Sequence, residues 1–253
     1  MTFQTIELTT RGAVAEIRLR RSALDARTLG EIDSAAATIS DDDAVMVALL
    51  TSGGDAFCSG WDASEPRPAS QPGPAAPHGT MPLRSLEMMA QPVIACIEGE
   101  ALGAGLELAL ACDIRIASET ASFAMTQVAS GDVPSLGGTQ RLPRLVGRGK
   151  ASSMILLGER LDAQSALACG LVNQVVPPGQ ALARAGELAA SIAARGPIAV
   201  RYAKEAIRQG LDMPLEQALR YETDLTVILQ STADRAEGVR AFLEKRKPRF
   251  QGS

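Results

Sequence analysis

The chain has 253 residues, 46% apolar and 3% aromatic, with a net charge of −4 and a pI near 5.2. That length allows one large domain, or one domain with a small appendage, around a core of Ala, Leu, Val and Ile. The acidic balance excludes the basic footprint of a nucleic-acid binder, and no stretch approaches the roughly 18 consecutive apolar residues of a membrane span.

The N-terminus MTFQTIELTTRG is polar and lacks the apolar core of an export signal, so a cytoplasmic protein is expected. Ala13 to Arg20 alternates strictly, with Ala13, Ala15, Ile17 and Leu19 on one face, and predicts a strand. A helical pattern follows from Arg27 to Ser40, then a continuous apolar run from Val45 to Thr51 of strand length. Ser64 to Pro82 is dominated by Pro, Gly, Ser and Ala and predicts a loop acting as a rim or lid. Helical patterns at Pro82 to Met89, Ala104 to Ala111 and Gly149 to Leu157 are interleaved with strand-like runs at Pro92 to Ile97, Asp113 to Ala117 and Leu171 to Val176. Continuous apolar strands separated by helices predict an α/β fold with a sheet covered on both faces. From Pro178 onward the pattern is wholly helical: Gln180 to Arg195, Ile198 to Gln209, Pro214 to about Leu229, and Ala233 to Lys245. The expected division is a core domain over 1–195 and a C-terminal helical region over 196–253 that caps the core or meets a neighbouring subunit.

Several chemistries lack their parts. The single histidine, His78, falls in the Pro-rich loop, a poor place for the base of a Ser-His-Asp machine. No His/Cys cluster has metal-ligand spacing. Cys58, Cys96, Cys112 and Cys169 form no Cys-x-x-Cys pair and are expected to be reduced. Gly103-Ala104-Gly105 begins like a dinucleotide fingerprint, but Leu108 stands where its third glycine belongs. Carboxylate acid/base work assisted by backbone dipoles remains.

Two glycine-rich turns each follow an apolar strand: Ser52-Gly53-Gly54-Asp55-Ala56-Phe57-Cys58-Ser59-Gly60-Trp61-Asp62, and Glu100-Ala101-Leu102-Gly103-Ala104-Gly105-Leu106-Glu107. With Pro134-Ser135-Leu136-Gly137-Gly138-Thr139-Gln140-Arg141-Leu142, the run from Asp162 to Val172 and the terminal Phe242-Leu243-Glu244-Lys245-Arg246-Lys247, they resemble the enoyl-CoA hydratase/isomerase (crotonase) family over nearly the whole chain. The resemblance implies a crotonase-type spiral of ββα units with a C-terminal helical region, an acyl-CoA thioester substrate, and assembly as a homotrimer or homohexamer. It implies no metal or redox cofactor, coenzyme A being part of the substrate.

The physics of the two turns is direct. Taking a proton beside a thioester puts negative charge on its oxygen; two preorganised N–H donors stabilise that charge, and losing one typically costs about 3–4 kcal/mol. By resemblance the donors are the N–H groups of Trp61 and Ala104, with Gly103 and Gly105 letting the backbone approach the ligand. The family usually has glycine where this chain has Ala104, a departure that requires a negative φ. Ala104 also opens a helix whose positive end faces the developing charge. Glu107, one turn on, corresponds to one of the family's two catalytic glutamates. The position of the second is Gln127, which holds water by hydrogen bonds but exchanges no proton. Some relatives place a carboxylate eight residues later, where this chain has Ser135; Asp132 is a nearby substitute, although a solvated turn residue is the plainer reading. The backbone of Ala23, Leu24, Trp61, Asp62 and Ala63 is expected against coenzyme A, and Lys245 to Lys247 against phosphates or simply at a helix C-terminus.

With one glutamate in place, the expected activity is hydratase-like, with Glu107 as acid/base. The alternatives are a double-bond isomerase, another enolate reaction such as decarboxylation, thioester hydrolysis or retro-aldol cleavage, and a catalytically silent acyl-CoA-binding or scaffold protein.

Overall fold

In the computed structural model, residues 3–65 and 83–253 are described. Residues 66–82, which hold most of the Pro-rich loop and His78, lie outside them.

The main sheet has six strands. Strands β1 (Ile6–Arg11), β2 (Val14–Leu19), β4 (Val47–Ser52), β6 (Val93–Ile97), β8 (Ile114–Ser118) and β11 (Gln174–Val176) lie side by side in that order. The β1–β2 pair is antiparallel and every later neighbour is parallel. Alternation in β2 buries Ala15, Ile17 and Leu19 as expected. β6 is apolar at every position because both of its faces are covered. One face receives helix α6 (Ala181–Ala193), whose stripe of Ala181, Ala185 and Ala189, spaced four apart, packs on Val47, Leu49, Ile94, Cys96 and Ile116. The other face belongs to the large core, which includes α1 (Ala26–Ser40) and α3 (Ala104–Leu110). α1 starts at Asp25, whose side chain caps Thr28 N–H, and buries Leu29, Ile32, Ala35, Ala36 and Ile39.

A second layer of short strands was not visible in the sequence. β7 (Glu100–Leu102), β9 (Ser122–Ala124) and β10 (Leu161–Asp162) form one small sheet, and β3 (Ala23–Leu24) pairs with β5 (Gly60–Trp61) in another. Four long strands are thus each followed by a short one and then a helix: β2–β3–α1, β4–β5–α2 (Arg84–Met88), β6–β7–α3, and β8–β9 leading to α4 (Gly138–Leu156). This repetition is the ββα pattern implied by the resemblance.

Three boundaries differ from expectation. The helix expected from Gly149 begins at Gly138, and non-helical Gly147 (φ 77°, ψ 159°) divides it; Gly149 opens only the second piece. Pro143 and the glycines masked the first piece. The run from Leu171 yields a strand only from Gln174, because Leu171 and Val172 are buried in the core ahead of it. Pro214 stands at the N-cap of α8 (Leu215–Gln230) rather than inside its first turn.

α7 (Pro197–Gly210) is tied to the core by Lys204, which pairs with Asp113 at 2.7 Å and donates to Gln91 O at 2.9 Å. α9 (Ala233–Leu243) holds the chain end: Asp234 accepts from Gln251 and Gly252 N–H, and Glu237 binds Arg246 and Arg249 N–H. Those contacts occupy Arg246, the middle of the basic run. Among the described residues, no helix is long and apolar enough to cross a membrane.

Candidate active site

The two glycine turns meet through backbone. Cys58 and Ala101 form a parallel bridge in which Cys58 N–H donates to Glu100 O and Leu102 N–H donates to Cys58 O, each at 2.9 Å. α3 then sits directly on the first turn: a Cβ on Gly105 would lie 2.3 Å from Cys58 O, so only glycine permits the approach. Gly103 turns the chain at φ 50°, ψ −118°, and its N–H is taken by Ala124 O. Ala104 follows as the first helical residue, and first-turn N–H groups have no acceptor within their own helix. The positive-φ residues other than glycine are Leu83 and Lys245 among those described, so Ala104 meets the condition set by its Cβ.

Trp61, Gly103, Ala104, Glu107, Gln127 and Ser135 line one cavity of about 90 Å³, with Ser59, Gly60, Thr126 and Leu136. The volume suits a carbonyl group and one or two waters, at roughly 30 Å³ per water. The Trp61 ring also packs against the core, and its Nε1–H donates to Glu65 O at 3.0 Å.

The remaining expected ligand contacts lie beside this cavity and not in its wall. Gly105 is buried under Cys58. Ala23 and Leu24 pair with Gly60 and Trp61, and Leu24 O accepts from Asp62 N–H at 2.7 Å, so their backbone flanks strand β5. Asp62 is engaged by Arg21, which also holds Asp25, both at 2.6 Å; Ala63 is exposed. Asp132 is absent from the cavity wall, and its Oδ1 accepts from Val133 N–H, a turn contact.

Glu107 is 1% exposed, and three donors surround it. Oε1 accepts from Leu136 N–H and Gly138 N–H, each at 2.8 Å, and Oε2 accepts from Gln127 Nε2, also at 2.8 Å. Burial pushes its pKa above the ordinary glutamate value, and these bonds, with the charge of Arg141, oppose that rise without cancelling it. Oε1 is committed to two backbone N–H groups, whereas Oε2 is held by a single side-chain amide. Gln127 lies on a 3-10 turn (Gln127–Ser130) and is 4% exposed; its Oε1 is buried without a hydrogen-bond partner. A group that donates a hydrogen bond is what this atom lacks.

The sequence offered Leu136, Gly138 and Arg141 only as parts of a motif, without roles. The Gly137-Gly138 pair ahead of a helix was the available signal. The cysteines supply no competing chemistry: all four are free thiols, and burial pushes Cys58 up to about 11 and Cys112 to about 12.

Comparison with known proteins agrees with this architecture. The profile of the enoyl-CoA hydratase/isomerase family matches residues 9–253. The chain is 38% identical to the short-chain-enoyl-CoA hydratase of Clostridium acetobutylicum, with 98% of this chain and 97% of the relative covered. It is 37% identical to the crotonyl-CoA hydratase of Syntrophomonas wolfei, with 99% of each covered. The crystal structure of an enoyl-CoA hydratase from Bacillus anthracis superposes with a TM-score of 0.91 at 39% identity, covering 99% of this chain and 100% of that one. A fold of ββα turns that seats a buried glutamate beside two glycine-built loops, and a match over almost the entire length, place this chain in the enoyl-CoA hydratase/isomerase family.

Proposed function

We propose that the protein is a hydratase-like enzyme acting on acyl-CoA thioesters, with Glu107 as its acid/base. The observation that carries this reading is the position of Glu107 on the same cavity wall as Trp61 and the first residue of α3. The thioester oxygen would sit on the N–H groups of Trp61 and Ala104, where charge builds as the enolate forms. A water donating to Gln127 Oε1 would be positioned beside Glu107 Oε2. Glu107 takes one proton from that water as its oxygen bonds to the β-carbon, then returns the proton to the α-carbon; the sum is addition of one water. Proton transfer and polarisation by protein groups suffice for this, so the reading asks for no metal or redox cofactor. The relatives named for short-chain enoyl-CoA and crotonyl-CoA make short 2-enoyl-CoA esters the first substrates to try.

Gln127 favours a second reading. A single base that shuttles a proton between two carbons makes a double-bond isomerase, and Gln127 exchanges no proton. The same residue motivates the silent acyl-CoA-binding alternative.

The deciding experiment is Glu107→Gln assayed over short, branched and aromatic enoyl-CoA esters. Turnover should fall by about 10²–10⁴-fold while an acyl-CoA still binds. Unchanged turnover refutes the role of Glu107, and absence of turnover in the unaltered protein favours the silent reading. We also place the protein as a cytoplasmic homotrimer or homohexamer. Support for assembly comes from large apolar side chains exposed on the C-terminal helices, among them Leu211, Leu215, Val227 and Phe242.

A further inference from the structure

We propose that Arg141 is a positioning residue for Glu107, acting through the peptide between Leu136 and Gly137 and held in turn by Glu87. The proposal rests on the acid/base role given to Glu107 above.

Glu107 Oε1 takes both of its bonds from one turn, at Leu136 N–H and Gly138 N–H. The Leu136–Gly137 peptide lies between the two donor peptides, so fixing it fixes both. The Arg141 side chain holds this peptide, and its backbone holds the next one, Gly137–Gly138, which carries the second donor. Its guanidinium Nη1 donates to Leu136 O at 2.7 Å, and its backbone N–H donates to Gly137 O at 2.8 Å. Gly137 makes room for this: its φ is 102°, and a Cβ there would lie 2.2 Å from Arg141 Nη1.

The far edge of the guanidinium is held by Glu87 on α2, Nη2 to Oε2 at 2.7 Å and Nε to Oε1 at 3.4 Å. This two-point geometry belongs to arginine; a lysine ammonium does not reach the Leu136 carbonyl and both carboxylate oxygens in a plane. Both side chains are partly shielded, Arg141 at 17% and Glu87 at 36% exposure, unlike a free surface pair. α2 is itself anchored, with Leu86 buried and Ser85 bonded to Asp33 on α1.

Arg141 is a charged side chain that acts on Glu107, lowering its pKa against burial. Burial raises Glu87, but Arg141, with Arg208 of α7 and Arg84 of α2, holds it below the ordinary value. Arg141 is not part of the cavity wall. Its loss should therefore leave substrate binding alone and act on the proton-transfer step.

The experiment compares Arg141→Met, Arg141→Lys and Glu87→Gln with the unaltered protein. Arg141→Met should lower kcat about tenfold or more with KM within about twofold, and move the acid limb of the pH–rate profile to higher pH. Arg141→Lys, which keeps charge and stem, should recover the pH shift in part but not the full kcat. Glu87→Gln should change kcat in the same direction, and the Arg141→Met/Glu87→Gln pair should be no worse than Arg141→Met alone. Glu107 is also titrated directly by ¹³C NMR on glutamate-labelled protein, its signal assigned by loss in Glu107→Gln. Its pKa should rise in Arg141→Met. A folded Arg141→Met protein, or Arg141→Lys if the former does not fold, with unaltered Glu107 titration and kcat overturns the proposal. If Glu107→Gln leaves turnover untouched, the functional reading fails instead, and the NMR titration still decides whether Arg141 tunes Glu107.

Discussion

Gln127 Nε2 donates to Glu107 Oε2 across 2.8 Å, while Gln127 Oε1, equally buried, accepts from nothing among the described residues. The amide orientation follows from the charge beside it: a carboxylate accepts and never donates, so the NH₂ end must face Glu107. The carbonyl end is then left buried without a partner. Where the family resemblance implied a second carboxylate, this chain has an amide bonded to Glu107.

Replacing Gln127 with Glu inverts that logic. Two carboxylates would stand within hydrogen-bond distance, and one would hold a proton near neutral pH because like charges this close cannot both ionise. If the frame is that of a hydratase lacking one acid, kcat/KM for crotonyl-CoA hydration should rise by about tenfold or more. No gain would point to isomerisation or another enolate reaction.

Glu107 sets a pH dependence of known sign. Its folded pKa lies above the ordinary glutamate value of 4.5. Its contribution to stability is therefore fully present below that value and is lost as pH rises through the folded pKa. Activity runs the other way, because the base must be ionised. The acid limb of kcat/KM should fall above the ordinary carboxylate range. Glu107→Gln should remove that component of the stability profile, as read from denaturant midpoints between pH 4 and 8 (about the span a raised carboxylate covers).

Gly105→Ala should separate the two turns. The new Cβ would meet Cys58 O at 2.3 Å and Cys58 Cβ at 2.6 Å, both in a buried segment with no room to yield. A loss of about 3 kcal/mol is expected, at the upper end of overpacking effects. Turnover should be lost with it. Gly149→Ala is the matched control: nothing lies within 4 Å of its Cβ, and it sits in helical α4. That change should raise stability by about 0.5–1 kcal/mol. Urea melts of the two variants check both signs.

Phe242→Glu tests the assembly. Phe242 is 83% exposed in the single chain, an unusual position for a phenylalanine unless something covers it. Sedimentation should show a smaller species with unaltered circular dichroism. A particle mass that does not change would place the subunit contacts elsewhere.

The long elements could be read in advance because their signals are local. β4 lies in the apolar run that starts at Val45, β6 is apolar throughout, α1 carries a helical pattern, and α6 is rich in alanine. Glu107 was legible as well, because it lies one turn from two glycines and in a recognisable order. The short strands β7, β9 and β10 were not, since two or three residues hold no periodicity and their pairing partners are remote in the chain. The surroundings of Glu107 were equally hidden. Its hydrogen-bond partners lie 20, 29 and 31 residues away, and Glu87 meets Arg141 across 54. Sequence alone determined which backbone and side-chain groups were available and in what order. Only the folded chain decided which oxygen of Glu107 is tied to backbone and which meets the Gln127 amide, because that choice depends on donors converging in space from remote parts of the chain.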